Sequence, residues 1–352
     1  MHTKAKSAWM IAGAGALWGM IALFVRALNA AGLSALEIVF FRNLLAAAAL
    51  GVVVAVRDRS ALRIRLRDVW MFVGTGMVSI ELFNLCYFYT LSRSSVAVAA
   101  LLLYTSPVFV LLLSILLFRE RLTAHRLAAI VITIAGCACI TGVFSQAQAV
   151  APMTVLCGLG SGLFYALYSI FGKFALRRYS AMTVSFYTFV FAALATAPFS
   201  AAHCTQKVLA QPHTLLVGLG LAVVCTVVPF LLYTGGLDGV PASQAAVLAT
   251  VEPLVGSLLG VVVFGDPFTI WTVLGMALIL SSILVLQLPP RRRPAVEEAN
   301  GKFCIQPERH RADLPRHGAR LYFKTDRHVH GGILCRCQQI CVQSCTAGAA
   351  VP

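Results

Sequence analysis

Three ionisable side chains sit where ionisation is costly. Arg42, Glu81 and Glu252 lie inside long apolar runs, and a charge near the centre of a bilayer costs a few kcal/mol or more, so each is a candidate for function. Counted at about 1.5 Å of helical rise per residue, Arg42 and Glu81 both fall about 12 Å from the same membrane face, a depth at which they could pair. Glu252 falls about 17 Å into its own run, close to mid-depth, and has no evident basic partner in the second half of the chain. Arg42 offers a planar fork that can hold a carboxylate bidentately. A carboxylate at the depth of Glu252 suits proton coupling or recognition of a cationic amine. The plainer readings are an Arg42–Glu81 ion pair that fixes two helices, and a protonated, hydrogen-bonded Glu252 in the core. Glu37, nearer the interface, is read as snorkelling there.

Other polar groups join this set. Asn84 follows Glu81 by three and is expected on the same helical face. Tyr87, Tyr104, Tyr165, Tyr168 and Tyr233 carry hydroxyls into apolar runs; each could line a cavity, or simply satisfy one buried hydrogen bond. Pro107 and Pro253 remove backbone donors in the middle of two runs, which allows a bend and a role in opening and closing, or a kink alone. None of this is enzyme chemistry. The chain has no Walker loop, no G-x-S-x-G and no H-E-x-x-H, so no catalytic residue, metal site or cofactor is expected. His125, beside a run, is read as a solvated interface residue.

The elements that must carry these residues follow from composition. Of 352 residues, 59% are hydrophobic and 12% charged, about half the charge a soluble surface needs. Ten apolar segments can be read, at 8–28, 34–56, 69–91, 94–118, 125–144, 153–173, 181–200, 213–234, 241–264 and 268–288. None alternates as a strand would. The expectation is an all-α integral membrane protein of ten transmembrane helices. The start imitates a signal peptide, but its apolar run is long enough to be the first span. Six cysteines scattered through the apolar runs behave as small hydrophobes.

A net charge of +15 invites a nucleic-acid reading, which the distribution argues against. Basic residues flank apolar runs and gather in alternate loops: Arg57 to Arg67, Arg119 to Arg126, Arg177 and Arg178, and Arg291 to Arg293. Positive residues stay on the cytoplasmic side, so both termini are expected there, in the inner (plasma) membrane. Trp9, Trp70 and Trp271 mark interfaces, while Trp18 falls mid-span. The expected partners are a small-molecule substrate and membrane lipid, not nucleic acid, with a homodimer left open.

The halves repeat. Pro107 and Pro253 are 146 positions apart, and the same offset lays Leu17-Trp18 on Leu163-Phe164, Tyr87 on Tyr233, and Phe118 with Glu120 on Phe264 with Asp266. Five spans per copy is odd, so the second copy must insert upside down, as in many secondary transporters. The expected units are 1–146 and 147–290, followed by a cytoplasmic, disordered tail at 291–352 that transport can spare. The spacing of Cys335, Cys337, Cys341 and Cys345 is not a usual zinc pattern.

With Tyr-Thr-Ser-Pro at 104–107 and Leu-Phe-Arg-Glu-Arg-Leu-Thr at 117–123, residues 8–288 resemble the EamA-type branch of the drug/metabolite transporter superfamily. The second half echoes it in Val-Glu-Pro at 251–253 and Phe-Gly-Asp-Pro-Phe at 264–268. The resemblance implies alternating access by a ten-helix bundle and movement of amino acids, nucleosides, sugars or related metabolites. Export of amino acids or similar metabolites is the first expectation. A lipid or lipid-carrier flippase, and behind it a membrane-embedded enzyme, are the alternatives. Glu252 in place of a second Ser, and Asp-Pro in place of Glu-Arg, depart from the pattern.

Overall fold

The computed structural model describes residues 2–57, 59–120, 122–142, 150–265 and 269–287. The expected tail, the 146/147 boundary and Asp266 lie outside them. Every regular element among the described residues is helical. With no water to bond a backbone in hydrocarbon, helices that satisfy themselves are what an apolar chain can form.

Among the described residues, nine helical spans are long and apolar enough to cross a bilayer: Lys4–Ala30, Ala35–Arg57, Leu66–Arg93, Val96–Phe118, Ala124–Thr141, Pro152–Leu176, Ala181–Val208, Pro212–Gly239 and Ala242–Phe264. A shorter apolar helix, Ile270–Leu286, makes the tenth. Large apolar side chains such as Val56, Leu116, Phe199, Val262 and Leu284 face outward, as a lipid-facing surface requires. Local chemistry sets the ends. Ser95, Thr123 and Ser180 cap helix starts by accepting from Val98, Arg126 and Thr183 N–H groups.

The 146-residue offset is visible in the element boundaries. Helices begin at Ala35 and Ala181, at Val96 and Ala242, and at Ala124 and Ile270. They end at Arg93 and Gly239, and at Phe118 and Gly265's predecessor Phe264. Arg119 and Gly265, again 146 apart, both close their helices in the left-handed conformation. Wide π turns occupy Gly74–Glu81 in the third span and Val223–Val227 in the eighth, ending at matched positions. The mates also pack on each other: the second span on the seventh, and the fifth on the tenth. Gly136 and Gly275 lie against each other's backbone carbonyls at the latter crossing, where Thr133 donates to Ser282 at 2.9 Å. This close approach of small residues is how helices associate in lipid. Thus the ten helices form two related five-helix sets.

Several expectations need correction. The first span is not one helix: it breaks after Gly19 and resumes at Ile21. The seventh helix continues well beyond 200 despite Pro198 inside it. Pro107 and Pro253 do not bend the middle of a helix. The fourth span stops at Leu103 and restarts at Ser106, and the ninth stops at Ala249 and restarts at Val251. Each proline occupies the first turn of the restarted helix, where its missing N–H would have had no intrahelical partner anyway. Glu37 does not snorkel. It is buried, accepts from the Ser34 N–H at 2.6 Å and pairs with Lys207 at 2.8 Å, tying the second span to the seventh.

Candidate functional site

The broken spans surround a cavity of about 710 Å³. It is built where the two five-helix sets meet. Arg42, Asn84, Tyr87 and Tyr104 reach it from the first set. Tyr165, Tyr168, Tyr233, Glu252 and Pro253 reach it from the second. Two predicted residues stand outside its lining, Glu81 and Pro107.

Arg42 and Glu81 do not form the ion pair expected of them. Glu81 is buried behind the wall, and its Oε1 accepts from Asn43 Nδ2 at 2.8 Å. Arg42 turns to the cavity, and its buried Nε has no hydrogen-bond partner. The guanidinium lies within electrostatic reach of both Glu81 and Glu252. Arg42 is therefore a buried cation on the cavity lining whose Nε has no protein acceptor. Asn43 is the residue the sequence reading passed over: a second polar side chain beside Arg42, completely buried, holding Glu81 in place.

Glu252 sits two residues after the break at Thr250 and faces the cavity from the first turn of Val251–Phe264. A carboxylate at a helix start meets the positive end of the helix dipole. Tyr87, Tyr104 and Tyr165 are close enough to feel its charge. Backbone contact fixes this position. The first span carries Gly15 against the Ala249 carbonyl and Gly19 against the Glu252 carbonyl, with no room at either for a side chain.

The remaining wall is aromatic. Trp18, buried mid-span, meets Phe230 edge-on at 5.2 Å and Tyr233 at 5.4 Å. Phe83 stands edge-on to Tyr165 at 5.4 Å. Sequence alone gave no sign that Trp18, Phe83 and Phe230 belong to the site, since aromatics in apolar runs are as readily lipid-facing. Asn84 lines the cavity while its amide donates to the Ile80 carbonyl at 2.7 Å. Two tyrosines are committed elsewhere: the Tyr168 hydroxyl pairs with Thr234, and that of Tyr233 with Ser169, each at 2.7 Å.

The cavity is reached from one end of the bundle. Asn29, Ala35, Leu91, Val96 and Thr141 line it there, beside the connections that follow odd-numbered spans. The other end carries the basic loops and is tied shut. Glu120 accepts from Arg126 at 3.0 Å, from the Ala242 N–H at 3.0 Å and from the Ser243 hydroxyl at 2.6 Å. Asp68, in the same end, holds Arg178 and the Tyr179 hydroxyl. No group of three or more His, Cys, Asp or Glu able to hold a metal occurs among the described residues. A cavity lined by Arg42, by Arg26 (whose guanidinium lies over the Phe264 ring), by the Glu252 carboxylate and by aromatic faces can hold a small polar molecule that carries both charges.

Comparison with known proteins gives the wider setting. The pattern of the EamA-like transporter family matches residues 5–142 and again 152–288. An uncharacterized transporter of Archaeoglobus fulgidus is 31% identical over 226 residues, 62% of this chain and 78% of that protein. The uncharacterized inner membrane transporter YicL of Salmonella typhimurium is 26% identical over 63% of this chain and 73% of its own length. A solved crystal structure superposes with a TM-score of 0.64 at 22% identity, covering 82% of this chain and 98% of that one, a likeness of fold.

Proposed function

The chain belongs to the EamA-like transporter family, and we propose that within it this multi-pass membrane protein is a secondary transporter exporting amino acids or related small polar metabolites by alternating access. The observation that carries the substrate class is the pair of opposite charges on one cavity lining: Arg42, whose Nε has no protein partner, and Glu252. A zwitterion satisfies both at once, its carboxylate on Arg42 and its ammonium on Glu252. The aromatic wall at Trp18, Phe83 and Phe230 accommodates an apolar body between them.

A thermal-shift screen over amino acids, amines, sugars and nucleosides tests this reading, because a ligand bound only by the folded state raises the melting temperature. Zwitterionic amino acids are expected to stabilise the protein, and their amide or decarboxylated analogues much less. Stabilisation by sugars or nucleosides alone would overturn it.

The inner membrane is inferred from the basic bias of alternate loops and from the relative in Salmonella typhimurium that is named for that membrane. Both termini then face the cytoplasm, and the cavity is open to the outside. Reporter fusions after residues 32, 92, 147, 208 and 266 are expected to read as external. Those near 60, 122 and 293 are expected to read as internal. A clean reversal would invert the topology and the direction in which the cavity faces.

A further inference from the structure

A second recess, of about 450 Å³, opens at the basic end of the bundle. Lys173 of the sixth span and Leu237 of the eighth line it. On the same two helices Ser169 and Tyr233 line the main cavity. Ser169 and Lys173 are four residues apart, as are Tyr233 and Leu237. At 1.5 Å per residue, about 6 Å of each helix separates the two spaces. Only one turn of protein therefore stands between the site and the opposite side of the molecule.

That turn is held by specific bonds. Tyr168 to Thr234 and Ser169 to Tyr233, each 2.7 Å, clasp the sixth span to the eighth. Below them Leu237 is completely buried. Glu120, which also lines the recess, draws the start of the ninth span across through Ala242 N–H and Ser243. The repeat supplies the control. Shifted back by 146 positions, Thr234, Tyr233 and Leu237 become Phe88, Tyr87 and Leu91 of the third span, and Tyr168 becomes Ala22 of the first. Those four residues line the cavity, and Ala22 and Phe88 carry no hydroxyl with which to form the Tyr168–Thr234 pair. The hydroxyl clasp of the sixth and eighth spans thus has no counterpart at the matched Ala22 and Phe88 of the first and third.

We propose that the Tyr168–Thr234 and Ser169–Tyr233 hydroxyl pairs, with Glu120 as latch, form the gate at the basic end, and that the recess beyond is the vestibule through which substrate enters. The assignment rests on the transporter reading, but its test does not need the substrate. Opening breaks two neutral hydrogen bonds and slides Leu237 out from between the sixth and eighth spans. The ends exchange roles when Leu91 and Tyr87 close on the first span.

The test uses the full chain in sealed membrane vesicles of both orientations, with Ser257→Cys as a reporter in the main cavity and a membrane-impermeant maleimide as probe. Labelling is read as the increment over the same chain with Ser257 retained. The parent reporter is expected to label from the cavity's open side and poorly from the basic end. Combining Ser169→Ala with Thr234→Val removes one partner of each pair, and should raise labelling from the basic end about thirtyfold, since two neutral hydrogen bonds at about 1 kcal/mol each are lost and about 1.4 kcal/mol is tenfold. Glu120→Gln should act in the same direction. Labelling from the open side monitors whether the variants remain folded. Unchanged basic-end labelling in both variants, with open-side labelling retained, would overturn the gate. A silent substrate screen would count against the transporter reading alone and leave the accessibility result standing.

Discussion

Replacing Glu252 by glutamine is expected to lower transport at least about tenfold, equivalent to about 1.4 kcal/mol in the barrier. The substitution keeps the shape of the side chain and its capacity to accept from a tyrosine hydroxyl, so the cavity should survive. What it removes is the charge and the proton. If the carboxylate recognises an ammonium, the loss appears as weaker binding of the amino acid found by the screen. If it couples transport to protons, the residual activity loses most of its pH dependence, and an imposed proton gradient no longer drives flux in proteoliposomes. Arg42→Lys is expected to weaken binding as well. Arg42 lines the cavity and its Nε has no protein partner; a guanidinium can hold a carboxylate bidentately, whereas Lys offers only a point charge. Transport by the Glu252→Gln variant at the parental rate and with the parental pH profile would reduce Glu252 to a structural role.

The sequence made the repeat legible because a gene-level offset survives in the helix boundaries. The 146-residue register read from Pro107 and Pro253 recurs in the starts at Ala35 and Ala181 and in the left-handed closures at Arg119 and Gly265. Depth was legible too, since helical rise is nearly constant. Rotation was not. Arg42 and Glu81 share a depth, yet Glu81 points behind the wall. The π turn of Gly74–Glu81 gives that stretch more residues per turn than the 3.6 used to assign faces. Asn84 lines the cavity and Glu81, three residues earlier, does not. The prolines misled for a different reason. A proline inside an apolar run reads the same whether it bends a continuous helix or starts a new one. The turns at Tyr104 and Thr250 contain no glycine to mark them.

Among the glycines of the first span, Gly19 supports the site. A Cβ built on Gly19 would lie 2.7 Å from the Glu252 carbonyl oxygen, 2.7 Å from Val255 Cβ and 2.9 Å from the Gly256 nitrogen. Two of these neighbours are backbone and cannot swing away. Gly19→Ala must therefore push the first span off the restarted helix that carries Glu252. Overpacking of this kind costs about 1–3 kcal/mol, a factor of about 5 to 150. We expect ligand affinity and transport to fall by that order, along with the melting temperature. Gly13, on the same helix, supplies the comparison. Its Cβ would meet only Leu232 Cδ1, at 3.9 Å, an ordinary contact. Gly13→Ala should be neutral or stabilising by up to about 1 kcal/mol, since alanine restricts the unfolded chain and favours helix. Both variants replace glycine by alanine in one helix, so general effects on insertion are shared and the difference isolates the contact with Glu252. Equal melting temperatures and equal ligand affinities for the two would show that the first span can shift without cost, and that Glu252 is not held through Gly19.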